Sequence, residues 1–282
     1  MTRFANQIFS KLFAELWKFL RSLHLFSLDA PLVVVAWKNL HSFSYYGEIY
    51  LEESLILGAS TWLAYSADRF FGENERNASK DSRHSIGRSH PNGFLLFWGV
   101  ILLLSFILSY ICLPHDIFLR GIILCFFVIL NFFLCLREAH INVIYFPKPL
   151  RTSVILATSC VFWDINFLTL WEVTHAFLVF LLIFLINCQL LEELEEKLTG
   201  VMPKNKKNHL NNSWIFSGAC LVVILLAIWF FRGIFSLQSQ GCLWLILVIF
   251  ILRKLTMSED HFRVLLETIY WIIPTSILLI CM

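Results

Sequence analysis

Two adjacent apolar stretches decide the fold: Gly93 to Leu113 (GFLLFWGVILLLSFILSYICL) and Asp116 to Leu136 (DIFLRGIILCFFVILNFFLCL). A helix needs about 20 mostly apolar residues to cross the hydrocarbon core of a bilayer. Each stretch meets that requirement, and the first contains no charged residue at all. The sequence therefore predicts a pair of membrane-spanning helices joined by a short turn.

The composition of the whole chain agrees with this pair. Of the 282 residues, 58% are hydrophobic and 15% are charged, and the mean hydropathy is +0.72. Soluble domains carry roughly 25% charged residues. The net charge of +2 gives no basic surface that would indicate a nucleic-acid partner. The eight cysteines form no CxxC pair, so they indicate apolar core positions rather than a disulfide framework or a zinc site.

The length criterion, applied along the chain, predicts an all-α polytopic bundle of about nine transmembrane helices. Residues 28–282 would form this nine-helix domain. The first span is the least apolar, because Asp29 and Lys38 interrupt it. Asp164 and Glu172 are further candidates for polar groups inside the bundle. The predicted spans are 28–46, 52–71, 93–113, 116–136, 150–170, 173–191, 213–232, 238–254 and 262–281.

The distribution of positive charge predicts the orientation. If the N-terminus is cytoplasmic, all but three of the 22 Lys and Arg residues fall on cytoplasmic segments. The three others are Lys38, Arg120 and Arg232. The positive-inside rule therefore favours an N-in, C-out layout. A layout of eight spans would reverse every helix after the omitted one.

Residues 1–27 form a separate amphipathic segment on the predicted cytoplasmic side. Basic residues (Lys11, Lys18 and Arg21) lie on a different side of a helical wheel from the apolar ones. This pattern is typical of a helix that lies on the membrane surface. A plain helical extension packed on the bundle would show the same pattern. The apolar positions are Phe9, Leu12, Phe13, Leu16, Phe19, Leu20 and Leu23.

Two helix ends carry clustered carboxylates on the predicted cytoplasmic side. The second span ends at Asp68, with Glu73 shortly after it, and the sixth ends at Glu192 and Glu196. Acidic groups at helix C-termini are unfavourable, because the helix dipole is already negative there. Both ends are followed by long polar segments, 72–92 and 192–212. Since binding residues are frequent on such elaborated loops, this face is the candidate site.

A hard divalent cation would make the two acidic ends favourable. Mg²⁺ prefers carboxylate and water oxygens and often shares them with substrate phosphates. Asp68, Glu73, Glu192 and Glu196 are therefore candidate metal ligands. Basic residues on the same side, among them Arg69, Arg83 and Lys148, could stabilise the charge of a diphosphate. The alternative is a solvated acidic helix end that uses nearby lysines as counterions, or Arg69 in the case of Asp68.

Three short segments resemble the UbiA prenyltransferase superfamily, in particular a divergent bacterial branch. They are Thr61 to Phe70 (TWLAYSADRF), the basic segment with Ser82-Arg83-His84 and Arg88-Ser-His90, and Tyr145 to Arg151 (YFPKPLR). The order of elements is also similar, with one acidic motif ending helix two and another ending helix six.

The resemblance implies a helical bundle around a cavity that opens on the cytoplasmic side of the bacterial inner membrane. It also implies transfer of an isoprenyl group from an isoprenyl diphosphate, held through Mg²⁺, to a lipophilic acceptor such as an aromatic compound. Asp68, Glu192 and Glu196 would match acidic positions of the two motifs. The diphosphate-binding residues would be Arg69, Arg83, Lys148 and Arg151.

The chain departs from the superfamily pattern in its first motif, N-D-x-x-D-x-x-x-D. Ala64 and Tyr65 occupy the N-D positions, Gly72 occupies the last Asp position, and Glu73 follows one residue late. This leaves open a single metal, another substrate or lost catalysis. The second hypothesis is therefore a catalytically degenerate protein that binds lipid or acts as an assembly factor. A small-solute transporter ranks third, because polar residues are scarce at mid-span depth.

Overall fold

A computed structural model describes residues 2–71, 90–141, 147–199, 241–242, 244–249 and 258–282. The described part is all-helical and contains no strand. Its eight long helices are α1 (Thr2–Leu25), α2 (Asp29–Tyr46), α3 (Leu51–Phe71), α4 (Pro91–Cys112), α5 (His115–Ile141), α6 (Lys148–Val161), α7 (Leu170–Thr199) and α8 (Glu259–Cys281). Residues 241–242 and 244–249 are also helical.

The helix ends follow from local sequence signals. Gly47 ends α2 in the left-handed conformation, with φ of 69°, and its N–H donates to the carbonyl of Phe43. Pro91 begins α4, where the missing N–H costs nothing. Ser258 caps α8 by accepting a hydrogen bond from the backbone N–H of His261. Each of these residues therefore fixes a boundary without help from distant parts of the chain.

Four helices are long and apolar enough to cross a membrane: Pro91–Cys112, His115–Cys135, Leu170–Leu194 and His261–Cys281. They correspond to the predicted spans 93–113, 116–136, 173–191 and 262–281, so the all-helical class and these four segments are confirmed. A fifth candidate would combine α2 with the last part of α1, although the two are bent by 93°. The count of nine therefore stays a prediction, and span 213–232 lies outside the described residues.

The structure differs from the prediction at span 150–170. Helix α6 has only 14 residues and ends at Val161, and turns precede the start of α7 at Leu170. At about 1.5 Å per residue, α6 is too short to cross the core alone. Asp164 and Asn166 lie in the turns, and both use their side chains for contacts with other helices. These polar contacts favour a break that hydropathy did not reveal.

Helix α2 lies at the centre of the bundle and packs against α3, α6 and α8. Its Trp37 is completely buried and donates a hydrogen bond from Nε1 to the carbonyl of Tyr270 in α8, at 2.9 Å. Helices α6 and α7 pack side by side, and α7 also contacts α8. The fully buried core includes Leu40, Ala157, Cys160, Phe180, Ile183, Phe184, Leu266 and Tyr270.

Helices α4 and α5 expose their apolar side chains instead of burying them. In each of these helices, only 6% of the most apolar stretch is buried inside the protein. Large side chains such as Leu103 and Phe126 are more than half exposed. Such surfaces are unfavourable in water and favourable in hydrocarbon. This pair therefore has the exposed apolar surface expected of helices that contact lipid.

We expect Gly241→Val to lower the free energy of unfolding by about 1–3 kcal/mol, because it overpacks a filled interface. A Cβ at Gly241 would already lie 3.2 Å from Trp37 Cη2 and 3.2 Å from Ile277 Cδ1. Gly121→Val in α5 is the matched control, since its Cβ would meet nothing within 4 Å. Unfolding of both variants in mixed micelles measures the difference. Equal stabilities would contradict close packing at Gly241.

Candidate functional site

The C-terminal end of α3 meets the N-terminal end of α6 through an ion pair. Lys148 Nζ donates to Asp68 at 3.0 Å from Oδ2 and 3.2 Å from Oδ1. Both side chains are 40–49% exposed, so the pair lies at the surface of the bundle. We call this end of the bundle the Asp68 end. The structure thus brings together two of the residues that the sequence assigned to one site.

Each member of this pair lies at the helix end that disfavours its charge. Asp68 is in the last turn of α3, where the helix dipole is negative. Lys148 and Arg151 are in the first turn of α6, where the dipole is positive. Two prolines in this turn have no N–H, and the N–H of Arg151 already donates to the carbonyl of Pro147. An anion at the start of α6 would therefore be bound mainly by side chains and the helix dipole rather than by backbone donors.

Helix α7 adds polar groups beside this pair. Cys188 has Ser153 and Tyr65 as hydrogen-bonding neighbours, and the charges of Lys148 and Glu192 both act on it. Glu192 lies about one helical turn after Cys188 in α7, and its position beside Asp68 stays a prediction. Tyr65 of α3, Ser153 of α6 and Cys188 of α7 therefore meet inside the bundle near the Asp68 end.

Two of the three predicted diphosphate-binding arginines belong to the described residues, and their side chains contact different parts of the bundle. Arg151 Nε donates to Asn131 Oδ1 at 3.0 Å, and its NH2 lies 3.5 Å from Cys135 Sγ, so it contacts α5. Arg69 NH1 instead donates to Ser27 Oγ and, at 3.3 Å, to the carbonyl of His24. Arg69 therefore contacts the bend between α1 and α2.

Other predicted site residues can be described less completely. Glu73 and Arg83 lie outside the described residues. Glu196 lies in α7, where the description of this last turn covers the backbone only. Their assignment to the site stays a prediction.

A buried ionic cluster lies beside Arg69 and joins α1, α2, α3 and α8. His24 Nδ1 lies 3.2 Å from Asp29 Oδ2 and also contacts Glu267 Oε2. Arg69 NH2 lies 3.8 Å from Asp29 Oδ2, and Arg263 Nε lies 3.8 Å from Glu267 Oε1. Sequence analysis did not identify His24, Arg263 or Glu267. The indication in the sequence was that charged residues lie just inside an apolar span, where each of them needs a partner of opposite charge.

Three potential metal ligands meet in that cluster. One ligand atom each from His24, Asp29 and Glu267 lies within 4.8 Å of the others. However, Arg69 and Arg263 lie beside the same two carboxylates and already supply positive charge there. A divalent cation would leave an excess positive charge in a buried place, which is costly. The arrangement fits a structural ion-pair network better than a metal centre.

A second buried cluster lies at the opposite end of the bundle. Lys38, with no exposed surface, lies 2.5 Å from Glu53 Oε2 through Nζ. His41 Nε2 lies 3.4 Å from Asp164 Oδ2, and both side chains are buried. The prediction that Asp29, Lys38 and Asp164 are interior polar groups is confirmed by their burial. Glu172 is different, because it accepts hydrogen bonds from Thr169 at the start of α7.

Comparisons with known proteins give no relative: no family model matches the chain, and neither a curated protein nor a solved structure matches it. The site must therefore be interpreted from its own geometry.

The donor atoms at the Asp68 end suit Mg²⁺ in type. Asp68 and Glu192 offer carboxylate oxygens, and Mg²⁺ commonly takes one or two carboxylates together with phosphate oxygens of a substrate. Among the described residues, these two do not belong to a preformed cluster of three ligands. They would therefore hold a cation together with an anionic substrate rather than alone.

Proposed function

We propose that the protein is an integral membrane enzyme of the UbiA type that binds an isoprenyl diphosphate at the Asp68 end and transfers the isoprenyl group to a lipophilic acceptor. The observation that carries the proposal is the pairing of Asp68 with Lys148 at 3.0 Å across two helix ends. The exposed apolar surfaces of α4 and α5 support it, because an isoprenyl chain and a lipophilic acceptor would both reach the protein through the bilayer. The proposed location is the cytoplasmic side of a bacterial inner membrane.

Residues of the chain would bind the diphosphate and stabilise the negative charge that develops on it. Lys148 would contact the diphosphate oxygens at the start of α6. Breaking the bond between the isoprenyl carbon and the diphosphate oxygen leaves negative charge on the departing diphosphate. Preorganised cations stabilise that charge as it develops. The isoprenyl carbon then bonds to the acceptor, which loses a proton.

Asp68 and Glu192 would hold Mg²⁺, and Glu73 and Glu196 are the further candidates. When bound, the ion would act as a Lewis acid that neutralises charge on phosphate oxygens. In this arrangement Asp68 would exchange its contact with Lys148 for the metal, and Lys148 would turn to the diphosphate. The two charges that now pair with each other would thus both face the substrate.

The alternative is a catalytically degenerate lipid-binding protein or assembly factor on the same scaffold. The observation that favours it is the small number of carboxylates at the end of α3, where Ala64 and Tyr65 stand in place of two polar motif positions. Tyr65 contacts Cys188 rather than offering a carboxylate. Such a protein would bind the lipid without releasing diphosphate.

The deciding experiment is binding of a long isoprenyl diphosphate to the detergent-purified protein, with and without Mg²⁺. We expect Mg²⁺ to raise the affinity and expect Asp68→Asn to abolish that increase, because the amide is a poor metal ligand. Glu192→Gln/Glu196→Gln should have the same effect. Diphosphate release with an added lipophilic acceptor then separates the enzyme from the lipid-binding alternative.

Glu52→Gln is the control for this measurement, since Glu52 is an exposed residue at the other end of α3. It should bind like the parent protein. Equal Mg²⁺ dependence in the parent and Asp68→Asn would remove Asp68 from the site. No binding by any of the proteins would overturn the proposal and turn the search toward other lipid or protein partners.

A further inference from the structure

Helix α1 crosses the end of the bundle instead of continuing it. Residues Ala14–Leu25 make an angle of 93° with α2. The bend is fixed at Ser27, which has a φ of 60° and accepts a hydrogen bond from Arg69. Because α2 packs along α8, a candidate spanning helix, the last part of α1 runs roughly parallel to the membrane plane.

One face of α1 is attached to the bundle at the Asp68 end. Trp17 stacks on His261 at the start of α8, with ring centroids 4.7 Å apart. About two turns further along, His24 is buried and contacts both Asp29 and Glu267. Two points of attachment therefore set the rotation of the helix about its own axis.

That rotation leaves two further faces exposed. The first is apolar: Leu16 is 54% exposed, Phe19 is 55% exposed, and the partly buried Leu23 continues the same strip at helical spacing. We call these three residues the apolar strip. The second face carries Lys11, Lys18 and Arg21 around Ala14, and Lys18 also pairs with Glu15 at 2.7 Å, so the face remains net positive. We call it the cationic strip.

We propose that α1 is an in-plane membrane helix, whose apolar strip lies in the bilayer interface and whose cationic strip contacts anionic lipid headgroups. An apolar face beside a face rich in Lys and Arg is the pattern of helices that lie in this plane. Cations near the surface are attracted by anionic lipids within a Debye length. The lipid source is the same bilayer that surrounds α4 and α5. This inference does not depend on the proposed enzymatic activity.

The attachment points give this surface helix a specific geometry. Trp17 and His24 hold one face against the bundle, and the apolar strip lies about 120° around the helix from that face at 100° per residue. The strip is therefore turned away from the bundle, where lipid can reach it. Arg69 links the bend directly to the turn that carries Asp68.

The test uses the full-length protein in lipid nanodiscs, with photoreactive p-benzoylphenylalanine at position 19, in the apolar strip. Position 14, in the cationic strip, is the control. After irradiation, mass spectrometry identifies what each probe has attached to. We expect acyl-lipid adducts at position 19, several-fold above those at position 14. A probe at position 16 should repeat the result if the first variant fails to fold.

The headgroup contact is tested by lipid charge. Adduct yield at position 19 should increase several-fold when anionic lipid is added to zwitterionic nanodiscs. Lys11→Gln/Lys18→Gln/Arg21→Gln should remove that dependence, and size-exclusion elution should show that the variant is folded. Adducts to peptides of the same chain or of a second copy, equal yields at positions 14 and 19, or no dependence on lipid charge would each overturn the proposal.

Discussion

Replacing Glu53 by Gln is expected to lower the free energy of unfolding by about 3–5 kcal/mol, because it leaves a buried ammonium group without its counterion. Lys38 has no exposed surface, and its Nζ lies 2.5 Å from Glu53 Oε2. The rings of Tyr50 and Trp163 lie 5.7 and 5.8 Å from the same nitrogen. Cation–π attraction of about 0.5–2 kcal/mol per ring would offset only part of the loss. Unfolding by SDS in mixed micelles, followed by tryptophan fluorescence, measures the change in the free energy of unfolding.

Glu52→Gln is the matched control, because it removes the same charge one residue away from an exposed position. It should change the free energy of unfolding by less than about 0.5 kcal/mol. The double variant Lys38→Met/Glu53→Leu should approach the parent, since apolar groups of similar volume often replace a buried ion pair without loss. Equal effects of Glu52→Gln and Glu53→Gln would mean that another group neutralises Lys38.

The parts of the fold that sequence predicts well are those whose signal is local. Helices α4 and α5 follow from hydropathy alone, because an apolar run of sufficient length has a single favourable environment. The start of α4 at Pro91 and the end of α2 at Gly47 follow from backbone chemistry within one turn. None of these features requires knowledge of a distant partner.

The parts that sequence could not predict depend on distant partners. The end of α6 at Val161 follows from polar turn residues, since Asp164 meets His41 and Asn166 meets Arg120. Composition showed that charged residues interrupt the first span, but it could not pair Lys38 with Glu53. The bend between α1 and α2 likewise depends on the cluster of His24, Asp29 and Glu267. Pairings of this kind require the three-dimensional arrangement of α1, α2, α3 and α8.

The candidate site contains one contact that agrees with the sequence prediction and one residue whose contacts the sequence could not predict. Charge distribution placed Asp68 and Lys148 on the same predicted face, and the structure brings them into contact although they are 80 residues apart. Arg69, which follows Asp68 directly, was predicted to bind diphosphate, but the contacts in the structure direct it to the bend. Consecutive helical residues project about 100° apart, so neighbours in sequence need not share a site. Whether Arg69 also reaches a substrate stays a prediction.

Lys148→Met is expected to weaken isoprenyl diphosphate binding by about 10- to 100-fold, the range that corresponds to a charged hydrogen bond of 1.5–3 kcal/mol. The loss should occur with and without Mg²⁺, because Lys148 would contact phosphate oxygens directly. Asp68→Asn should instead remove only the increase that Mg²⁺ causes. Titration of the two variants under both conditions separates the direct contact from the one through the metal.

A loss of diphosphate binding in Lys148→Met can be distinguished from a folding defect, because the pair with Asp68 is exposed. Asp68 and Lys148 are 40% and 49% exposed, and a surface ion pair contributes about 0–1 kcal/mol to stability. Lys148→Met should therefore unfold almost like the parent, in contrast to Glu53→Gln at the buried pair. Lys18→Met, which breaks the exposed pair with Glu15, is the control and should bind normally. If Lys148→Met binds the diphosphate as tightly as this control, the anion site does not lie at the start of α6, and the pair with Asp68 only joins two helix ends.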